Sequence, residues 1–299
     1  PELSIISYGK FSSKPINPYG EFIPEEFLKS DLENNYCITS NMQGYKKENF
    51  VISSRKLKLN KEPLIPEKFT PQFRQTLINA LKITKHKITV IIASWNRTNT
   101  IQRSIDSALN QTYSPFEVIV CDDGSNDDSI QKIKQSFPLS ILHKKLKIIE
   151  SKHLGVSNAR NLALGESKGD LIAYLDSDNT WHPDHLLFLT FFLMNNSENY
   201  DLIYSTRKLF GSRVNGEILP LNPFDYRKLQ IGNFIDLNCV IHKRKLYEKE
   251  GGFDLNLKRL VDWEIMLKYT NPKLNTKVTS INIATVNYWR NQKYLNNIS

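Results

Sequence analysis

The sequence predicts an α/β protein: a mostly parallel central sheet with helices on both faces, preceded by an N-terminal extension. Three observations carry this expectation. From Lys87 onward, short apolar runs alternate with amphipathic segments, which is the order of a strand–helix repeat. The runs are apolar throughout rather than alternating, as strands buried on both faces must be. Three of the runs also stop in clusters of Asp, Ser and Asn, on the edge where sheets of this kind bind ligands.

The elements follow in order. Residues 1 to about 69 show little sustained periodicity, and Pro15, Pro18, Pro24, Pro63 and Pro66 break them into short apolar pieces. Thr70-Pro71 then starts a helix near 70–83, with a capping hydroxyl and proline at the first helical position. Its apolar stripe is Phe73, Leu77, Ile78 and Leu81. Residues 1–86 are therefore expected to be an extension that packs on, or links to, a main domain over 87–290, with a tail at 291–299. The main domain opens with a strand, Ile88–Ala93, and a helix over Thr100–Gln111 with Ile101, Ile105, Ala108 and Leu109 on one face. A strand over Phe116–Cys121, a helix over Asp128–Phe137 and a strand over Leu146–Ile149 come next. Val156–Ser167 reads as a helix and Asp170–Leu175 as a fourth strand. Leu186–Met194 is apolar but too short to span a bilayer, and it contains Thr190, so it reads as a core helix.

The most informative feature is Asp176-Ser177-Asp178 at the exit of the fourth strand. Two carboxylates one residue apart repel unless a cation or hydroxyl donors stand between them. A divalent metal carrying a diphosphate would meet that need, because Mg2+ and similar ions prefer carboxylate and phosphate oxygens. An ordinary surface turn is the alternative. The ends Ala93-Ser94-Trp95-Asn96 and Asp122-Asp123-Gly124-Ser125 fall on the same edge. Three polar strand ends on one edge make a site.

Composition narrows the class of partner. The formal charge of +9 favours anionic partners. No dense basic block is interleaved with aromatics, so nucleic acid is not expected as a partner. Cys37, Cys121 and Cys239 are far apart and odd in number, with no disulfide framework or zinc spacing. Cys121 reads as a small core residue. A reducing, cytoplasmic compartment fits, and the first residues show no signal-peptide pattern. The chain starts at Pro1 rather than Met, as a segment of a longer protein would.

The ordered motifs resemble those of a family 2 glycosyltransferase. The resemblance is carried by Ile88 to Arg97, Gln111-Thr112-Tyr113, and the run from Glu117 to Ser125. It continues through Gly155 to Asn161, Gly169 to Asp178, Gly251-Gly252-Phe253-Asp254 and Asp262-Trp263-Glu264. It implies a GT-A fold, with a Rossmann-like nucleotide-sugar half over 87–178 and an acceptor half over 179–290. It also implies inversion by single displacement, a divalent metal (Mn2+ or Mg2+), a nucleotide-sugar donor, most simply a UDP-sugar, and a glycan or lipid-linked acceptor in polysaccharide or glycoconjugate synthesis. A lipid-linked acceptor would place the protein against the inner face of a membrane.

The resemblance also implies roles for single residues. Ala93, Ser94 and Trp95 would line the nucleotide pocket; Ala-Ser-Trp departs mildly from the family's usual Pro-Thr-Tyr, and Trp95 could equally anchor a core. Asp122 or Asp123 would accept from an imide N–H such as that of uracil, since an ionised carboxylate only accepts. The Arg160 fork would reach a base carbonyl or phosphate, or pair with a neighbouring Asp. Asp176 and Ser177 would face the ribose, and Asp178 would ligate the metal. Asp262 would be the general base, with an ordinary helix N-cap as its alternative. Glu264 is its competitor, but two helical positions turn a side chain by roughly 200°, so only one of the pair faces the site. His182 could touch phosphate or acceptor, but reads more simply as a solvated loop histidine. Tyr288-Trp289-Arg290 resembles a terminal aromatic–Arg block of the family; no histidine follows it, so the family's histidine contact would be absent, or replaced by Arg290 or Lys293.

Rival readings are a non-catalytic nucleotide- or glycan-binding module on the same scaffold, a retaining transferase, and a nucleotidyltransferase. The last is disfavoured because residues 93–99 hold no glycine for a phosphate loop.

Overall fold

The computed structural model describes residues 37–40, 50–53, 63–194, 199–211 and 214–290. Cys37–Ser40 (β1) and Phe50–Ser53 (β2) form a small antiparallel pair. The main body is a nine-stranded sheet. Its first part is the expected repeat: β3 (Ile88–Ser94), α2 (Ile101–Leu109), β4 (Glu117–Asp122), α3 (Ser129–Ser136), α4 (Pro138–Leu142), β5 (Leu146–Glu150), α5 (Val156–Glu166) and β6 (Leu171–Tyr174). The second part holds β7 (Thr180–Trp181), α6 (His185–Met194), β8 (Leu202–Gly211), β9 (Val214–Ile218), α7 (Tyr226–Ile231), β10 (Val240–Lys243), α8 (Arg244–Glu250), α9 (Val261–Tyr269) and β11 (Val278–Trp289). The strand order is β5-β4-β3-β6-β10-β8-β11-β7, with β9 paired to β8.

The block β5-β4-β3-β6 is entirely parallel. β10 enters antiparallel between β6 and β8, and β11 runs parallel to β8. Alternate residues of each strand point to opposite faces, and both faces are covered. Val90 and Ile92 join Val118 and Val120 in one core, while Ile91, Ile119 and Cys121 join α5 and α9 in the other. This is why the strands read as continuous apolar runs.

α1 (Pro71–Thr84) begins as its sequence predicts. Thr70 Oγ1 accepts from the Phe73 N–H at 3.2 Å, and Pro71 holds the first helical position. Phe73, Leu77 and Leu81 are buried in the first core. Just before the helix, Leu64 bridges to Ile283 of β11, and Phe69 packs on Phe188 of α6, with ring centroids 4.8 Å apart. The end of the extension therefore packs on the main sheet. α6 is apolar on all sides and almost wholly buried, as a core helix should be. Among the described residues, no helix is long and apolar enough to cross a membrane.

Candidate active site

The carboxyl ends of parallel β3, β4 and β6 open into a cleft of about 330 Å³. Ala93, Ser94, Trp95, Asp123, Asp176, Ser177 and Asp178 all line it. The two aspartates that end β4 separate into different tasks. Asp122 turns away, accepting from the Ser125 N–H at 2.8 Å and its hydroxyl at 2.5 Å, and so closes its own turn. That turn needs glycine at Gly124: φ is 72°, and a Cβ there would lie 2.9 Å from the His153 backbone nitrogen. Asp123 faces the cleft and accepts from the N–H groups of Leu154 and Gly155, each at 2.9 Å. Trp95 is 48% exposed and stacks on His153 with centroids 4.4 Å apart. It is a wall of the cleft, not a core anchor.

Arg160 projects from α5 between two carboxylates. It donates to Asp176 at 3.0 Å and to Asp262 at 2.5 Å. Burial alone would lower its pKa, but Asp262 and Asp176 more than reverse this and hold the guanidinium above its ordinary value. Of the readings the sequence left open, the structure gives the salt bridge.

Asp178 lies 3.4 Å from the Arg97 guanidinium. Burial, and then the charge of Asp176, raise its carboxyl above the ordinary range. Ser94 Oγ is buried at the cleft with no hydrogen-bond partner among the described residues. Such an atom is normally satisfied by something bound.

Asp262 sits in the first turn of α9, where a carboxylate suits the helix dipole. The N-cap is Leu260, so Asp262 is not the cap. Burial raises its carboxyl above the usual value, Arg160 opposes this, and Asp176 and Asp236 add to it. Glu264 turns instead to Lys268 at 3.2 Å.

Several site residues were not legible in the sequence. Asn238, in a 3-10 turn over Leu237–Cys239 just before β10, holds Asp176 from the second part of the sheet. Its neighbour Asp236 is largely buried, with 12% side-chain exposure, which raises its carboxyl, while Arg207 at 3.3 Å opposes the shift. His153 stacks on Trp95, and Arg97 lines the cleft beside Asp178. Position on the strand-end loop could have flagged Arg97; nothing in the local pattern flags Asn238. Tyr288, from the terminal aromatic block, reaches the cleft, and burial pushes its hydroxyl up to about 12. Trp289 instead stacks on Phe210 at 4.7 Å, and the Arg290 N–H donates to the Phe210 carbonyl at 2.7 Å. Lys293 lies outside the described residues.

One expectation needs correction. His182 is not a solvated loop histidine. It follows β7, which pairs with β11, and its ring is half-buried with Glu67 and Asp184 each 3.8 Å away. Burial lowers its pKa. His185 is fully buried and stacks on Trp181.

Comparison with known proteins now identifies the frame. The family model described as "Glycosyl transferase family 2" matches residues 89–251. The chain is 43% identical over 97 residues to the E. coli protein named UDP-Glc:alpha-D-GlcNAc-diphosphoundecaprenol beta-1,3-glucosyltransferase WfaP, covering 31% of this chain and 36% of that protein. It is 31% identical over 144 residues to E. coli WfgD, which carries the same description, covering 48% of this chain and 54% of that one. The matches thus span about a third to a half of these curated relatives' length. Among solved structures, S. aureus TarS superposes with a TM-score of 0.55 at 22% identity, covering 68% of this chain and 60% of that one. The mannosyltransferase PcManGT from Pyrobaculum calidifontis, solved with GDP-Man and Mn2+, superposes with a TM-score of 0.52 at 18% identity, covering 66% and 56%. At such identities the two structures speak for the fold alone. With the family model covering more than half of its length, the chain belongs to glycosyl transferase family 2 and has the GT-A fold.

Proposed function

We propose that this protein transfers a sugar from a UDP-sugar to a hydroxyl of a lipid-linked glycan, with inversion at the sugar carbon and with a divalent metal. One observation carries the reading: Asp123, Asp176 and Asp178 converge on one strand-end cleft, and Arg160 links that cleft to Asp262. The two E. coli relatives support the choice of donor and acceptor, since both are named for UDP-glucose and a diphosphoundecaprenol-linked sugar. An acceptor of that kind would bring the protein to the inner face of a membrane.

The residues fit a hard cation. Asp178 offers carboxylate oxygens in a place where burial and Asp176 already disfavour its bare charge. Among the described residues no cluster of three or more His, Cys, Asp or Glu could hold an ion without help. A cation there would take its remaining ligands from diphosphate oxygens. Asp178 would hold it, with Asp176 adjacent, and when bound it would neutralise charge growing on the leaving UDP.

The chain's own residues supply the rest. Asp123 would read the base edge, with Trp95 and His153 as the stacking wall. Asp176, held by Asn238 and Arg160, would take the ribose hydroxyls. Asp262 takes the proton from the acceptor hydroxyl as that oxygen bonds to the sugar carbon. The bond from that carbon to the UDP oxygen breaks, and the electron pair leaves with UDP. Raising the Asp262 carboxyl above its ordinary value makes it a better proton acceptor.

The test is direct. The full chain is incubated with UDP-glucose or another UDP-sugar, Mn2+ and a GlcNAc-diphospholipid, and the products are followed by mass spectrometry and NMR. A β-linked product from an α-linked donor is expected. UDP binding with no transfer from any donor would leave a binding module, and an α-linked product would make the enzyme a retaining one.

A further inference from the structure

We propose that the segment Leu255–Leu260, together with Ile231 at the end of α7, is a docking surface for an anionic phospholipid bilayer. Every residue from Leu255 to Leu260 is exposed. Leu255 and Leu260 stand 63% and 67% exposed, and Ile231 is 85% exposed. Apolar side chains this open are common singly, but grouped ones mark interaction surfaces. Trp263 Nε1 donates to the Leu229 carbonyl at 2.6 Å, which ties the helix carrying Ile231 to the helix that Leu260 caps.

Leu260 adds an independent sign. Its backbone is left-handed, with φ 58° and ψ 22°, a conformation that bulky residues avoid. The strained residue keeps its side chain in solvent instead of burying it. Strain of this kind persists where the surrounding fold requires it and gathers at functional places.

Charge selects the occupant. Lys258 and Arg259 interrupt the leucines, and Arg227 and Lys228 lie exposed on α7. None of the four has a carboxylate partner among the described residues. The local acids are engaged in their own turns. Asp254 accepts from the N–H and the side-chain amide of Asn256, and Asp225 accepts from the N–H groups of Arg227 and Lys228. The face is therefore apolar and cationic, which is the composition that enters an anionic headgroup layer. A second copy of this chain fits it poorly, because a two-fold contact would set these cations against their own copies.

Position gives the surface its use. Asp262 follows Leu260 by two residues, so a bilayer held here would lie at the acceptor side of the site. The inference deepens the reading above, in which the acceptor carries a lipid tail, and it is tested without donor or acceptor so that the two can fail separately.

The full chain is sedimented with vesicles of phosphatidylcholine alone, and with vesicles containing phosphatidylglycerol. Binding only to the latter is expected. Lys258→Ala with Arg259→Ala should weaken it by roughly 25-fold, about fivefold for each cation near an anionic surface. Leu255→Ser with Leu257→Ser should also weaken it, with UDP affinity and melting temperature unchanged. Three results would overturn the proposal: no binding by the wild-type chain, equal binding by the variants, or equal binding to neutral vesicles. Loss of a dimer in the leucine variant without any change in vesicle binding would also overturn it, and would give the face to a second copy.

Discussion

Asn238 and Asp176 grip each other through two hydrogen bonds. The Asp176 N–H donates to Asn238 Oδ1 at 2.7 Å, and Asn238 Nδ2 donates to Asp176 Oδ2 at 2.7 Å. One residue sits in the turn before β10 and the other follows the end of β6, so the pair fixes the second part of the sheet to the parallel block. Asn238 Nδ2 also reaches Asp236 at 2.7 Å. Asn238→Ala would free the Asp176 carboxylate to move. Each lost bond is worth about 0.5–1.5 kcal/mol, so UDP affinity should fall about tenfold. Calorimetry returning the wild-type affinity would remove Asn238 from the site.

Asp178→Ala should abolish the part of donor binding that depends on Mn2+ and leave the fold intact. Its carboxyl is held above its ordinary value, so the bare folded protein gains nothing from that charge. The melting temperature without ligand should therefore not fall. Titration of UDP with and without Mn2+ reads the effect; an unchanged metal dependence would place the cation elsewhere.

Asp262→Asn keeps the shape and removes the basicity. Turnover should drop by about 100-fold to 10,000-fold, the scale of a lost general base, with UDP affinity little changed. Glu264→Gln should be mild, since Glu264 serves Lys268. The pH profile carries a sign. Catalysis needs the ionised carboxylate, and burial has raised its pKa. Activity should therefore fall with acidification at a pH above the ordinary aspartate value of about 3.9. A limb at or below that value would speak against Asp262.

Asp123 should favour a base with an imide N–H. UDP is expected to bind more tightly than ADP by about 1–3 kcal/mol, the cost of leaving a buried polar group unmatched. Equal affinities would show that the carboxylate serves only the Leu154 and Gly155 N–H groups.

Arg160→Met should destabilise the fold by about 3 kcal/mol, the low end for breaking a buried pair. The low end applies because the Asp176 and Asp262 side chains remain 34% and 37% exposed. Adding Asp262→Asn should restore part of the loss in chemical denaturation. No recovery would mean that Arg160 acts mainly by packing over Phe253, whose ring centroid lies 5.1 Å from its guanidinium.

The parallel half was legible because its signals are local. Ile88–Ala93, Phe116–Cys121 and Asp170–Leu175 are apolar runs that end in polar residues, and those ends became the cleft. The Thr70–Pro71 cap is equally local. What escaped depends on contacts made across the chain. Asn238 meets Asp176 from 62 positions away, and its turn has neither apolar period nor motif. His182 looked solvated because the pairing of β7 with β11, which covers it, joins segments about a hundred residues apart. The choice between Asp122 and Asp123 also waited on the fold. A strand covered on both faces gives no apolar alternation to say which carboxylate turns back to Ser125.

The position of Arg160 has a further consequence. A single guanidinium serves as common counterion to Asp176, proposed for the donor, and Asp262, proposed for the acceptor. A ligand that draws Asp176 away leaves more of that positive charge to Asp262 and makes it less basic, while one that shields Arg160 does the opposite. Proton affinity on the acceptor side is thereby tied to occupancy on the donor side. Thermodynamic reciprocity then requires protonation of Asp262 to change donor affinity by the same factor. Under the proposed function, the two substrates would communicate through one shared charge, without any movement of the backbone.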